Sequence, residues 1–361
     1  MIISRTPYRI SFFGGGTDYP AWSRRHGGAV LSATINKYCY LSCRYLPPFF
    51  EHRIRVVYSK VEMCQKPEEI AHPAVRETLR YMKITRGVEI HHDGDLPGRS
   101  GMGSSSAFTV GLLHGLHALQ GRVAGKKQLA TESIHLEQDI LKETVGSQDQ
   151  VCAAYGGLNK IAFLPGGDFS VQPMTLSRER LEELNSHLLL FYTGIKRTAS
   201  EVAATFVAGM ERRTKLLNRL GASVEQSCGL LKGSGNLKDF GKMLHEAWLA
   251  KRELSAQVSN PQVDALYADA RNAGALGGKL LGAGGGGFLM LFAPPSRQGR
   301  IIRRLGRLIQ VPFQFEFGGS QIIFYDLEED YSRHDKVRAG RRVESFREWK
   351  PGRMPAARAG T

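Results

Sequence analysis

Long apolar runs, paired cysteines and a secretory opening are all missing from this 361-residue chain. No stretch approaches the roughly eighteen consecutive apolar residues of a transmembrane helix, so no membrane span is expected. The opening Met1-Ile2-Ile3-Ser4-Arg5 has neither the apolar core nor the cleavage site of a signal peptide. Cysteine is scarce: Cys39, Cys43, Cys64, Cys152 and Cys228 make five, an odd number with no C-x-x-C pair. That disfavours a disulfide framework or a zinc site and points to reduced thiols in the cytoplasm. No internal repeat of about 20–50 residues is visible, which argues against a solenoid or propeller. Acidic residues are also outnumbered, 34 against 49 Lys and Arg, for a net charge of +15. An excess of this kind can mark nucleic-acid binding. Its distribution argues otherwise. Residues 331–361 hold nine Lys and Arg against three Asp and Glu, and the rest of the excess is spread without basic-aromatic interleaving. A solvated surface and an anionic small substrate are expected, and no nucleic acid.

What the chain does have is apolar sequence, 42 % of it, and 41 glycines. The length suits two domains. Residues rich in Ile, Val, Tyr and Phe predict strands over 2–13 and 28–46, and shorter ones over 54–59, 87–92, 158–163, 187–193, 279–282, 287–292, 312–317 and 321–325. Apolar periodicity predicts helices over 74–83, 104–120, 126–143, 198–231, 236–258 and 262–273. The mixture is α+β rather than strict βαβ alternation. The polar segment 165–186, opening Pro-Gly-Gly, marks a boundary. It divides the chain into an N-terminal domain 1–186, a C-terminal domain 187–334 and a basic tail 335–361.

The most informative stretch is Leu96-Pro97-Gly98-Arg99-Ser100-Gly101-Met102-Gly103-Ser104-Ser105-Ser106-Ala107. Its glycines let backbone turn tightly against a ligand, and the helix start that follows offers unpaired N–H groups to phosphate. The serines add hydroxyls for phosphate oxygens or a metal. A plain connecting turn with serine caps is the alternative on this stretch alone. Two further glycine runs sit in strand-rich sequence: Pro7-Tyr8-Arg9-Ile10-Ser11-Phe12-Phe13-Gly14-Gly15-Gly16-Thr17-Asp18, and Lys279-Leu280-Leu281-Gly282-Ala283-Gly284-Gly285-Gly286-Gly287-Phe288. Glycine inside strands often marks a close backbone approach.

These three segments, in this order, resemble the three motifs of the GHMP kinases, over roughly residues 1–330. The resemblance implies an N-terminal domain with a left-handed βαβ unit, a ferredoxin-like C-terminal domain, and ATP bound between them with Mg²⁺. Within the family, Pro7 to Pro20 and Gly27 to Ile35 look most like the heptose 7-phosphate kinases. Galactokinases carry Glu-His where Gly15-Gly16 stand.

The resemblance also implies roles. Asp149 matches the catalytic aspartate, a carboxylate that can accept the proton of an attacking hydroxyl. Arg9 matches the basic residue that neutralises the transferring phosphoryl group. Gly98, Gly101, Met102, Gly103, Ser104, Ser105 and Ser106 are expected to hold the nucleotide. Glu137 has support of its own. Ala130, Ile134, Glu137 and Leu141 share one helical stripe, which puts a carboxylate on an apolar face, costly unless paired or metal-bound. It matches the Mg²⁺-binding glutamate, with Ser105 sharing the metal. Asp18, with Gly15, Gly16 and Thr17, is expected at the sugar, and Gly284 and Gly285 also at the substrate. Arg99, Lys196 and Arg197 are candidates for a phosphate already on the sugar. The expected reaction is phosphorylation of an anomeric hydroxyl of a phosphorylated sugar. A fucose- or galactose-type 1-kinase and a non-catalytic sugar- and ATP-binding regulator stay open as alternatives, as does a homodimer.

Overall fold

The computed structural model describes residues 1–47, 49–98, 100–195 and 199–327, with Tyr331 and Arg333. Arg99, Lys196, Arg197 and the segment 335–361 lie outside them. The strands are β1 (Ile2–Phe13), β2 (Gly28–Tyr45), β3 (Ile54–Val57), β4 (Val61–Cys64), β5 (Val88–Gly94), β6 (Leu158–Phe163), β7 (Phe169–Pro173), β8 (Leu188–Tyr192), β9 (Gly277–Leu280), β10 (Phe288–Phe292), β11 (Ile309–Gln310), β12 (Phe315–Glu316) and β13 (Gln321–Tyr325). The first helices are α1 (Pro20–His26), α2 (Pro73–Tyr81), α3 (Ser104–Leu119), α4 (Lys126–Ile134), α5 (Gln148–Tyr155) and α6 (Arg178–Ser186). The later ones are α7 (Ala199–Val207), α8 (Thr214–Lys232), α9 (Lys238–Arg252), α10 (Pro261–Ala273) and α11 (Pro295–Arg304).

Nine strands form the larger sheet, in the order β13-β1-β2-β5-β3-β4, with β12 and β6 also paired to β2 and β7 to β6. The pairs are antiparallel except β3 with β5. The smaller sheet runs β11-β8-β10-β9, wholly antiparallel. Numbered within that unit, the order is 4-1-3-2, with helices between its first and second strands and between its third and fourth. That is ferredoxin-like topology.

Alternation along β8 and β10 explains how the smaller sheet is buried on both faces. Leu188, Leu190, Phe288, Met290 and Phe292 join the core built on the larger sheet. Leu189, Phe191, Leu289 and Leu291 join a second core with Trp248, Leu266 and Ile301 from the surrounding helices. Phe240 of α9 ties the two sheets together. It meets Phe12 and Phe13 of β1 edge-on at 5.6 and 5.1 Å, and Phe292 of β10 at 5.7 Å.

Three expectations change. The helix predicted over 126–143 ends at Ile134 and continues as a π-helix over His135–Ile140, where the Leu141 N–H reaches back to the Leu136 carbonyl. The helix predicted over 198–231 is interrupted at Gly209, with a 3₁₀ turn over Met210–Arg213, as an interior glycine favours. The stretch 187–334 does not stay with the smaller sheet, because β12 and β13 return to the larger one. The chain thus crosses between sheets twice, before β8 and after β11. The crossings lie side by side, the Asn185 side-chain amide donating to the Phe313 carbonyl at 3.5 Å.

Candidate active site

A cavity of about 260 Å³ opens where β1, the loop before α3, the start of α5, α9 and the loop after β9 converge. The turn ahead of α3 passes through left-handed backbone, with φ of 81° at Gly101 and 73° at Gly103. Gly101 admits nothing larger than hydrogen, since a Cβ there would lie 2.5 Å from the Leu281 carbonyl oxygen. Gly103 caps α3 without a side-chain hydrogen bond, so the first amides of that helix are left for an anion.

Arg9 fixes the centre. Its Nε and Nη2 donate to the two carboxylate oxygens of Asp149, each at 2.7 Å, and its Nη1 donates to the Gly101 carbonyl at 2.7 Å. The pair therefore sits directly on the glycine loop. Burial works against the Arg9 charge, but the Asp149 carboxylate outweighs it and holds the guanidinium above its usual range. Asp149 stands in the first turn of α5, where the helix dipole favours a carboxylate. Asp18 is fully buried; its oxygens accept the amides of Gly16 at 3.0 Å and Gln148 at 3.3 Å. Burial, and then the charge of Asp149, push its carboxyl up against the pull of those amides.

Glu137 lies in the π-helix, the kind of widened turn that often marks a functional site. Its Oε2 accepts from Ser106 Oγ at 2.9 Å and from Gln150 Nε2, while its Oε1 has no partner. Burial, then the nearby Glu143, push it up to about 8. An orphaned, buried carboxylate oxygen beside a serine hydroxyl at a helix start is a donor set that fits a hard divalent cation.

The expected residues divide between the cavity wall and its surroundings. Ser106, not Ser105, touches Glu137; Ser105 lines the cavity. Gly15, Gly16, Gly101, Gly103 and Ser104 line it too. Met102 is core, contributing only its carbonyl to the Arg9 amide, and Gly98 stands away from the cavity wall. Thr17 is spent internally, its hydroxyl donating to Gly14 or Ala29 carbonyls. Gly284 and Gly285 do not face the cavity. Gly284 packs on Val258, and Gly285 bonds Val258 and Asn260. After Lys279, Gly282 and Ala283 are the residues of that third run that reach the cavity, with Gly282 pressed against Gly101.

Two buried cations on the wall had no role assigned from sequence: Lys251 of α9 and Lys279 of β9. Lys251 had the same signal as Glu137. Phe240, Leu244, Trp248 and Lys251 form one buried stripe of α9. Lys279 interrupts an apolar strand, and its Nζ donates across to the Phe12 carbonyl of β1 at 3.1 Å.

Comparison with known proteins defines the class. Residues 69–157 match the GHMP kinases N terminal domain and residues 229–309 the GHMP kinases C terminal. The chain belongs to the GHMP kinases. Among its relatives is the D-glycero-alpha-D-manno-heptose 7-phosphate kinase of Campylobacter jejuni, 28 % identical over 84 % of this chain and 93 % of that protein. The L-fucokinase/L-fucose-1-P guanylyltransferase of Bacteroides fragilis is 26 % identical over 84 % of this chain, which spans 36 % of that protein. The fold is shared with a D-glycero-D-manno-heptose 1-phosphate kinase from Bacteroides thetaiotaomicron, at a TM-score of 0.74 and 23 % identity over 91 % of this chain and all of that one. Among the described residues, no helix is long and apolar enough to cross a membrane.

Proposed function

We propose that this kinase transfers the γ-phosphoryl group of ATP to the anomeric hydroxyl of D-glycero-D-manno-heptose 7-phosphate, giving the 1,7-bisphosphate. The observation that carries the reaction type is the Arg9–Asp149 pair seated on the glycine loop, which sets a proton acceptor and a cation at one phosphate-binding turn. The acceptor hydroxyl oxygen bonds to the γ-phosphorus, the bond to the bridging oxygen breaks, and ADP leaves. Each Asp149 oxygen keeps a lone pair beyond the one given to Arg9, so the carboxylate can take the hydroxyl proton. Arg9 offsets charge on the transferring group, and the loop amides orient it. In this reading Asp18 accepts from a second sugar hydroxyl. Mg²⁺ would be held by Glu137 with Ser105 and Ser106, and would supply charge neutralisation for the nucleotide phosphates.

The heptose assignment is supported by the Campylobacter jejuni relative and by the two glycines in the first motif. Gly15 and Gly16 line the cavity, and a Cβ at Gly15 would point toward Ser11 and Gln148 at 3.7 and 3.8 Å. Missing side chains at that wall leave room for a seven-carbon sugar.

The test is ADP release with heptose 7-phosphate, unphosphorylated heptose, L-fucose and D-galactose, with the product phosphate located by ³¹P NMR. Heptose 7-phosphate is expected to give the highest kcat/KM. A preference for an unphosphorylated sugar would overturn the substrate and leave the kinase chemistry standing.

A further inference from the structure

The cavity faces two buried amines contributed by the C-terminal elements, and the mechanism above uses neither. Lys251 is 6 % exposed and Lys279 is 4 % exposed. An ammonium has three N–H donors, and burial without partners is costly. Lys279 spends one donor on the Phe12 carbonyl, a tie between the two sheets. Lys251 is given one acceptor, the Gly282 carbonyl, so donor capacity is left over on the cavity wall. The position of that carbonyl matters. Gly282 is pressed onto Gly101, and the Gly101 carbonyl is the one that Arg9 holds. Arg9 from β1 thus holds the carbonyl of one of these two touching glycines, and Lys251 from α9 holds that of the other.

Building on the kinase function proposed above, we infer that Lys251 is a catalytic residue, a second cation that binds the phosphoryl group in transit from the nucleotide, opposite Arg9. The charged groups facing it are Arg9 from β1, Asp18 from the following loop, Asp149 from α5 and Lys279 from β9. Burial, then Arg9, lower the Lys251 amine, and Asp18 and Asp149 raise it, leaving it at about 8. Burial, then Lys251 and Arg9, push Lys279 well below its usual range. Lys251 therefore keeps its charge near neutral pH. An incoming phosphoryl group supplies the acceptors it lacks and raises its affinity for the proton. Loss of one such donor in a water-poor site typically lowers kcat about 10²–10³-fold.

The experiment has two arms. In the first, kcat and kcat/KM for ATP are followed from pH 6 to 10. Wild type should lose kcat/KM as pH rises through about 8, with the kcat limb displaced to higher pH because bound phosphoryl holds the proton. Lys251→Met should melt as wild type does, lose kcat about 10²–10³-fold and lose that limb. A wild-type profile flat from pH 7 to 9 overturns the assignment even if the variant fails to fold. In the second, calorimetry measures binding of a non-hydrolysable ATP analogue, ADP and heptose 7-phosphate separately. Lys251→Met should lose affinity for the ATP analogue alone. A loss confined to the sugar phosphate, or equal for ADP and the ATP analogue, overturns it. This arm needs no turnover, so it stands or falls independently of whether heptose 7-phosphate is the acceptor.

Discussion

Replacing Glu137 by Gln separates what this carboxyl costs the fold from what it contributes to the site. In the folded chain burial lifts Glu137 from 4.5 to about 8. Below pH 4.5 both folded and unfolded chains hold the proton. Between 4.5 and 8 the unfolded chain has lost it and the folded chain keeps it, so the unfolded state binds fewer protons and stability falls as pH rises. Above 8 the loss is complete. A gap of about 3.5 pH units at about 1.4 kcal/mol each makes the full penalty about 5 kcal/mol, an upper value. Gln at 137 carries no such term, but its amide would leave N–H groups without an acceptor where Oε1 is orphaned, at about 1–3 kcal/mol. Glu137→Gln should therefore be less stable than wild type at pH 5 and more stable at pH 8.5. Asp18 and Glu143 are also raised by burial, but both are present in the two proteins and largely drop out of the difference. Urea unfolding in EDTA at pH 5, 7 and 8.5 measures it. Adding Mg²⁺ at pH 8.5 should stabilise wild type and leave the variant nearly unmoved, while kcat in the variant falls. A stability difference that does not change with pH would refute the buried, proton-holding carboxyl. An equal Mg²⁺ response would refute the cation site.

Asp149→Asn should lower kcat about 10²–10⁴-fold with nucleotide affinity within a few-fold of wild type; near-normal turnover would remove the proton acceptor from the mechanism. Gly101→Ala should cost more than about 2 kcal/mol in urea unfolding and abolish activity, because the residue sits at φ 81° and its new methyl would meet the Leu281 carbonyl at 2.5 Å. A stable, active Gly101→Ala protein would mean that the second and third glycine runs do not need to touch.

Legibility in the sequence follows how local each constraint is. The loop at 98–106 was readable because tight turns demand glycine at particular positions, and Glu137 because a carboxylate on an apolar stripe stands out. Lys251 shares that stripe signature, yet a lysine can lay its stem on apolar surface and lift its charge to water, so the same pattern has an innocent explanation. The third glycine run announced a close approach without naming the partner. Gly284 and Gly286 meet the carbonyls of Val258 and Ile195, while Lys279, Gly282 and Ala283 reach the cavity. The return of β12 and β13 to the first sheet was hidden because strand partners are chosen across the whole chain. The π-helix at His135–Ile140 was hidden because its apolar period differs from an α-helix by one residue in one turn.

The paired crossings between the sheets set how the two halves can move. Both lie at the Leu188 end of β8, where the Ala293 N–H donates to the His187 carbonyl and Val311 is tied to Leu190. The loop bearing Gly282 and Ala283 hangs from the opposite end, where Tyr192 pairs with Phe288. A single connecting strand would allow twist as well as bending. Two, fastened side by side, resist twist. Five residues of strand make a lever of about 17 Å, so a swing of about 10° carries the glycine tip about 3 Å. That travel is comparable to one phosphate oxygen, so the angle at which the crossings hold the two sheets sets the width of the cavity between Arg9 and Lys251.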